Sequence, residues 1–259
     1  MFLLRKLRIV GRFLLRPMVV ALLGCAIVSG ALHNPHDEDF LNSAAAGDVG
    51  RLARALANGA DLHARNASGQ TALALATATG HLEAIRFLAK REGDVNVADN
   101  TGTTPVMWAS MNGHLSAVKV VLDHGADVNA HNSLGMTALL YAIMSDHLAV
   151  AELLLTKGAD VNAQSSSGSS LLVVAASGGQ SAAVTFLLAH GANPNLSDNN
   201  GWTPLMAAAA HDKYEIARAL INQGANVNAY DHHNFTALSI ANVQHDTAII
   251  DLLKQHGAR

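Results

Sequence analysis

One interval constrains this chain more than any other property. The segment Gly125-Ala126-Asp127-Val128-Asn129 returns 33 residues later as Gly158-Ala159-Asp160-Val161-Asn162, and variants of it recur at that spacing through most of the 259 residues. Steps of 33 from Thr71 reach Thr104, Thr137, Ser170, Thr203 and Thr236, and the alanine five places later is present every time, as Ala76, Ala109, Ala142, Ala175, Ala208 and Ala241. Ahead of the turn threonine stand Gly69, Gly102, Gly135, Gly168 and Gly201, with Asn234 in the last place. Asparagine is the other residue that tolerates a left-handed backbone, so this column records a backbone constraint. A period of this length means one supersecondary unit stacked on copies of itself. Stepping back from Thr71 falls on Glu38, where Ala44-Ala45-Ala46-Gly47-Asp48 and Gly59-Ala60-Asp61-Leu62-His63 form a degenerate first unit. Seven units are therefore expected, at 36–64, 65–97, 98–130, 131–163, 164–196, 197–229 and 230–259.

Each unit reads as two short helices. In 98–130, Thr104-Pro105 opens a helix with proline in the first turn, where its missing N–H costs nothing, and this alanine-containing helix ends near Gly113. A second begins around His114-Leu115, carries Val118, Val121 and Leu122 at helical spacing and stops at Gly125. Neither buries its apolar side alone. Stacking does so, by bringing the column Leu73, Val106, Leu139, Leu172, Leu205 and Leu238 into one core. The small Ala76 column predicts a close approach of the first helices and a bend toward that side. The last helix, Thr247 to His256, has almost no sequence after it to cap it and is the expected weak end.

With those residues in view the chain resembles the ankyrin-repeat family, whose unit of about 33 residues is a turn followed by two helices. Thr104-Pro105, Thr203-Pro204-Leu205, Gly80-His81, Gly113-His114 and the Gly-Ala-Asp/Asn-x-Asn endings carry the resemblance over nearly everything beyond residue 35. It implies an all-α ankyrin-repeat solenoid of about seven helix-turn-helix units with projecting β-turn or hairpin loops. It also implies a non-catalytic protein–protein interaction module that meets its partner at the turn tips and the exposed side of the first helices. His81, His114 and His147 fill one column at the start of the second helix, where the resemblance implies a structural role. Two departures stand out. The family's histidine after Thr-Pro-Leu is replaced by Ala74, Met107, Leu140, Val173, Met206 and Ser239, and Glu92 stands where Gly125, Gly158, Gly191 and Gly224 end their helices.

Residues 1–31 are different in kind. Arg5, Lys6, Arg8, Arg12 and Arg16 precede an apolar run from Pro17 to Leu32, and no acidic residue occurs before Asp37. That layout is expected of a secretory signal cut after Ala31, and it predicts export to the periplasm or envelope of a bacterium. Two other readings of the segment stand beside it. Leu22-Leu23-Gly24-Cys25 resembles a lipoprotein box that would lipidate Cys25, and an uncleaved anchor would use an apolar run shorter than the roughly 20 residues a spanning helix needs. In all three the basic flank stays cytoplasmic and the repeats face outward. The segment holds five of the 17 basic residues and none of the 20 acidic ones, so a chain cut there carries 12 against 20, a net charge of −8. An acidic surface disfavours nucleic acid as a partner. Cys25 is the only cysteine, which leaves disulfides no part after cleavage.

Catalytic chemistry has little to stand on. The sequence has no Gly-rich phosphate loop, no Gly-x-Ser-x-Gly elbow and no cysteine cluster, and no cofactor is expected. Asp127, Asp160 and Asn129 lie in turn columns where hydrogen bonding to the backbone accounts for them. The 14 histidines include His33 and His36 beside Asp37-Glu38-Asp39, and Asp231-His232-His233 at a turn tip. Residues of these types ligate metals, yet neither group has a diagnostic spacing with a third ligand, and solvated surface histidine is the alternative.

Binding remains, and the repeat frame says where. The residue before the turn threonine runs Gln70, Thr103, Met136, Ser169, Trp202 and Phe235, and three large apolar groups at projecting positions mark a contact surface, tryptophan being a favoured anchor. The partner-binding residues expected are Leu134, Met136, Met144, Asn199, Asn200, Trp202, His211, His232, His233 and Phe235. Asn100, Thr101, Ser133 and Met111 occupy equivalent places, and methionine suits an adaptable surface. A competing reading lays Trp202 and Phe235 flat on adjacent turns as gap fillers. The partner expected is another protein, bound by a monomer, with membrane contact only through the first segment. An inhibitor or immunity-type protein that blocks a toxin or enzyme, and a metal- or haem-handling accessory, are the alternative functions.

Overall fold

A computed structural model describes residues 34–91 and 95–259. Two compact units divide these residues after Ser166. The first holds α1 (Pro35–Ala46), α2 (Val49–Ala57), α3 (Ala72–Thr79), α4 (Leu82–Ala89), α5 (Pro105–Met111), α6 (Leu115–Asp123), α7 (Ala138–Met144) and α8 (Leu148–Thr156). The second holds α9 (Leu171–Gly178), α10 (Ser181–Ala189), α11 (Pro204–Ala210), α12 (Tyr214–Asn222), α13 (Ala237–Gln244) and α14 (Thr247–Gln255). Among the described residues there are thus fourteen helices in seven pairs. Within each compact unit the first helices of successive pairs pack on one another, the second helices do the same, and each pair packs on itself, giving two helical layers.

Local chemistry fixes where these helices start. Thr71, Thr137, Ser170, Thr203 and Thr236 each sit at an N-cap in extended conformation, their hydroxyls accepting the backbone N–H three residues on. Pro105 and Pro204 occupy the first turn, as expected. Helices of seven to nine residues are too short to persist on propensity alone, so burial must hold them. The Leu/Val column provides it: Leu73, Val106, Leu139, Leu172 and Leu205 are all buried, and Leu238 alone is half-covered. All six alanines of the Ala76 column are wholly inaccessible, which is what a close approach of first helices requires. The residues replacing the family's histidine are absorbed into the core as Ala74, Met107, Leu140, Val173 and Met206. Ser239 instead completes a capping box with Thr236.

Two devices join successive pairs. The first is a ring laid on a glycine. α1 and α3 end at Gly47 and Gly80 in the left-handed conformation, Gly113 follows the same course after α5, and each lies under the histidine of the following pair. A Cβ on Gly113 would fall 2.6 Å from Cε1 of His147, and one on Gly80 2.7 Å from Nδ1 of His114. The histidine column is therefore structural, and the Gly-His pairs seen in sequence belong to two different contacts: His114 meets Gly80, while its neighbour Gly113 receives His147.

The second device explains the Gly-Ala-Asp-x-Asn ending. Asn129 donates through Nδ2 to the Gly158 carbonyl at 3.0 Å and accepts at Oδ1 from the Asp160 N–H at 2.9 Å. Asn96 does the same to Gly125 and Asp127, Asn195 to Gly224 and Asn226, and Asn228 to Gly257 and Arg259. Each aspartate meanwhile accepts from the N–H two residues on, as Asp127 does from Asn129 and Asp160 from Asn162. Every polar residue of the motif thus has a backbone partner.

α4 ends at Ala89 with Lys90 in the ordinary helical region. Glu92 and residues 1–33 lie outside the described residues, and so do the expectations that fall on them. No helix among the described residues is long and apolar enough to cross a membrane.

Candidate binding surface

The turn tips are built around one column of acidic and amide residues. Asn66, Asp99, Asn132, Asp198 and Asp231, spaced by 33 or its multiple, each place Oδ1 so that it accepts two backbone N–H groups, from the residues two and four places on. Their own backbones close the loop, as when Asp99 N–H donates to the Thr103 carbonyl and Gly102 N–H to the Asp99 carbonyl. Isolated antiparallel bridges Arg65–Thr71, His131–Thr137 and Tyr230–Thr236 complete the hairpin form expected of these loops. Successive tips are tied by one backbone bond each: Asn100 to Ser68, Ser133 to Thr101 and Ser166 to Leu134 in the first compact unit, Asn199 to Ser167 and His232 to Asn200 in the second. The backbone is thereby satisfied internally, and the tip side chains are left to vary.

In the first compact unit two aromatic residues are pinned beneath the tips. Trp108 on α5 donates its indole N–H to Asp99 Oδ2 at 3.2 Å, and the Tyr141 hydroxyl on α7 accepts from Asn132 Nδ2 at 2.9 Å. Asn132 also reaches Thr103 Oγ1, and Thr101 and Thr103 share a 2.8 Å bond between hydroxyls. Burial raises the Tyr141 pKa, against the bonds to Asn132 and Thr103. Both rings are half-buried and have their polar atoms engaged, so the part left open is rigid apolar surface.

The expected contact residues fall in both compact units. Leu134, Met136 and Met144 belong to the first. Leu134 stands out at a tip with 62% of its surface exposed, while Met136 and Met144 are half-buried. The others belong to the second. Asn199, Asn200, His232 and His233 are exposed on adjacent tips joined by the His232 N–H to Asn200 carbonyl bond. Trp202 and Phe235 are half-buried rather than freely projecting, because their backbones are drawn in by Asp198 and Asp231. His211 lies at the far end of α11 from the tips, and burial first, then the Lys213 charge, lowers its pKa. Tyr230, 69% exposed beside the same tips, was not among the expected residues. Among the described residues no group of three or more His, Cys, Asp or Glu side chains is placed to hold a metal ion.

Two helical layers, a frame of self-satisfied turns and variable side chains on the tips define the class of repeat modules that bind other proteins. A profile of ankyrin repeats matches in three copies over residues 40–132, 93–165 and 171–259, and the chain belongs to the ankyrin-repeat family. Among solved structures, the ankyrin repeat domain of Bcl-3, described as a unique member of the IkappaB protein family, is 28% identical and superposes with a TM-score of 0.74, covering 83% of this chain and 97% of that one. No curated protein matches the chain significantly.

Proposed function

We propose that the chain is exported to the cell envelope and acts there, as a monomer, in binding another protein through its tips and first helices. The observation that carries this reading is the division of labour in the tips. Five acidic or amide side chains hold the turn backbone, and Leu134, Asn199, Asn200, His232 and His233 stand exposed on the tips so formed. Trp202 and Phe235 keep enough open surface to anchor a partner, and indole is a favoured anchor. Export rests on the basic and apolar order of residues 1–31.

Capture from envelope extract with the tagged chain, run beside a Trp202→Ala/Phe235→Ala variant of unchanged helicity, tests the binding. A partner held by the parent and lost by the variant is expected, whereas equal retention would move the contact elsewhere. Loss of the partner's own activity on capture would make the chain an inhibitor. The mass of the purified product tests the export: a start at Leu32 is expected, and an intact Met1 would overturn cleavage.

A further inference from the structure

Beyond α1, which carries Asp37, Glu38 and Asp39, charge is partitioned between the two layers of the first compact unit. The tips and first helices at 66–80, 99–113 and 132–145 contain no Lys, Arg or Glu. Their single acid, Asp99, is buried in its turn and accepts from the Thr101 and Thr103 N–H groups, the Thr101 hydroxyl and the Trp108 indole. Arg65 borders the first tip and donates to the Gly69 and Ala98 carbonyls, and Asp146 ends the run just after α7. The second-helix layer is the opposite. Glu83, Arg86, Lys90, Arg91 and Lys119 are exposed there, and Asp123, set between Lys119 at 2.7 Å and Lys157 at 2.9 Å, has its pKa lowered to about 2 chiefly by those two bonds.

A partner seated on the uncharged layer would lose water from its own charges and find no counter-charge, which is costly. What the layer offers is the fixed rings of Trp108 and Tyr141, the exposed Leu134 and the half-buried Met111 and Met144. We infer that this surface docks a polypeptide segment free of Asp, Glu, Lys and Arg, with apolar side chains resting on Trp108 and Tyr141. The inference deepens the protein-binding reading and depends on it. Association through this face is then insensitive to salt, because no exposed ion pair forms.

A random-peptide display library panned against the full chain tests this. Retained peptides should be poor in charged residues, and their affinity should change less than about twofold between about 0.05 and 0.5 M NaCl. Trp108→Ala should weaken them more than about tenfold, in keeping with an anchor at the centre of a contact. Ser133→Lys alters an exposed side chain and leaves the core alone, so it guards against a misfolded tryptophan variant; it should weaken the same peptides and favour acidic ones. Lys119→Ala should change nothing. Charged or salt-sensitive peptides, equal binding by Trp108→Ala and Ser133→Lys, or no retained peptide would overturn the inference. An envelope partner captured by the chain in a strongly salt-dependent way would sink it too while leaving the protein-binding reading in place.

Discussion

The two compact units solve the same joining problem with different chemistry. In 34–166, His81, His114 and His147 each lie on a left-handed glycine of the preceding pair, and none of the three caps the helix it precedes. In 167–259 the same column holds Gln180, Lys213 and Asp246. Lys213 lays its flexible stem across Gly179, whereas Asp246 caps its own helix, α14, by accepting from the Ile249 N–H at 3.1 Å. The glycine column is broken as well, by Asp146 in the first region and by Asp212 and His245 in the second, all three at positive φ. One column can therefore serve its own helix or its neighbour. A ring wedged against backbone is a rigid joint that depends on glycine; a lysine stem or a local cap asks less of the residue opposite, and a left-handed aspartate or histidine is accepted at some cost in strain.

The largest expected effect tests that difference directly. Gly113→Ala drives a Cβ into the His147 ring as well as straining a backbone at φ 72°, and should cost about 2–4 kcal/mol of unfolding free energy. Gly179→Ala meets the far end of Lys213 and should cost about 1–2 kcal/mol. Thermal or denaturant unfolding of the two variants compares them, and equal losses would erase the distinction between the joints. Next in size is a change common to both regions. Asn129→Ala and Asn195→Ala each remove two bonds to the following pair and should each cost about 1–2 kcal/mol, alike within error in denaturant titration. A large gap between them would show that the asparagine device too differs between regions. The smallest effect concerns acid. The folded pKa of His211 lies below its ordinary 6.5, so its protonation favours the unfolded chain. Stability is unaffected above that pH and falls as the pH drops through 6.5 toward the lower folded value. Replacement by glutamine should flatten that part of the stability profile, and an unchanged profile would remove His211 from the account.

Much of this architecture was legible because it repeats. The threonine, alanine and leucine columns gave the helix starts, the close approach and the core, since a constraint met six times leaves the same kind of residue at the same interval. The Asn66–Asp231 column repeats as well and could have been read by the same step of 33, but aspartate and asparagine interchange in it, and Ser165 interrupts it. Trp108 and Tyr141 left no such trace. Their column continues as Val174, Ala207 and Ile240, so nothing periodic marks them, and each is tied to a turn nine residues earlier by a side-chain bond that spacing does not reveal. The expected projection of Met136, Trp202 and Phe235 was too strong for a related reason: their place ahead of the turn threonine does not reveal the bond from Asn132, Asp198 or Asp231 that draws each backbone in.

The bond from Asn129 to Gly158 and Asp160 has a meaning beyond the fold it holds. The unit at 98–130, like that at 197–229, carries the asparagine that receives the next one and the glycine carbonyl and backbone N–H that are received by the one before. A copy inserted in frame, or one excised, would leave no amide or carboxylate of the joint without its match, provided the cut is made at the same point of the period. Such a chain can change its length by gene duplication or deletion while every joint stays chemically complete, and the breadth of its binding surface is then open to selection independently of its stability.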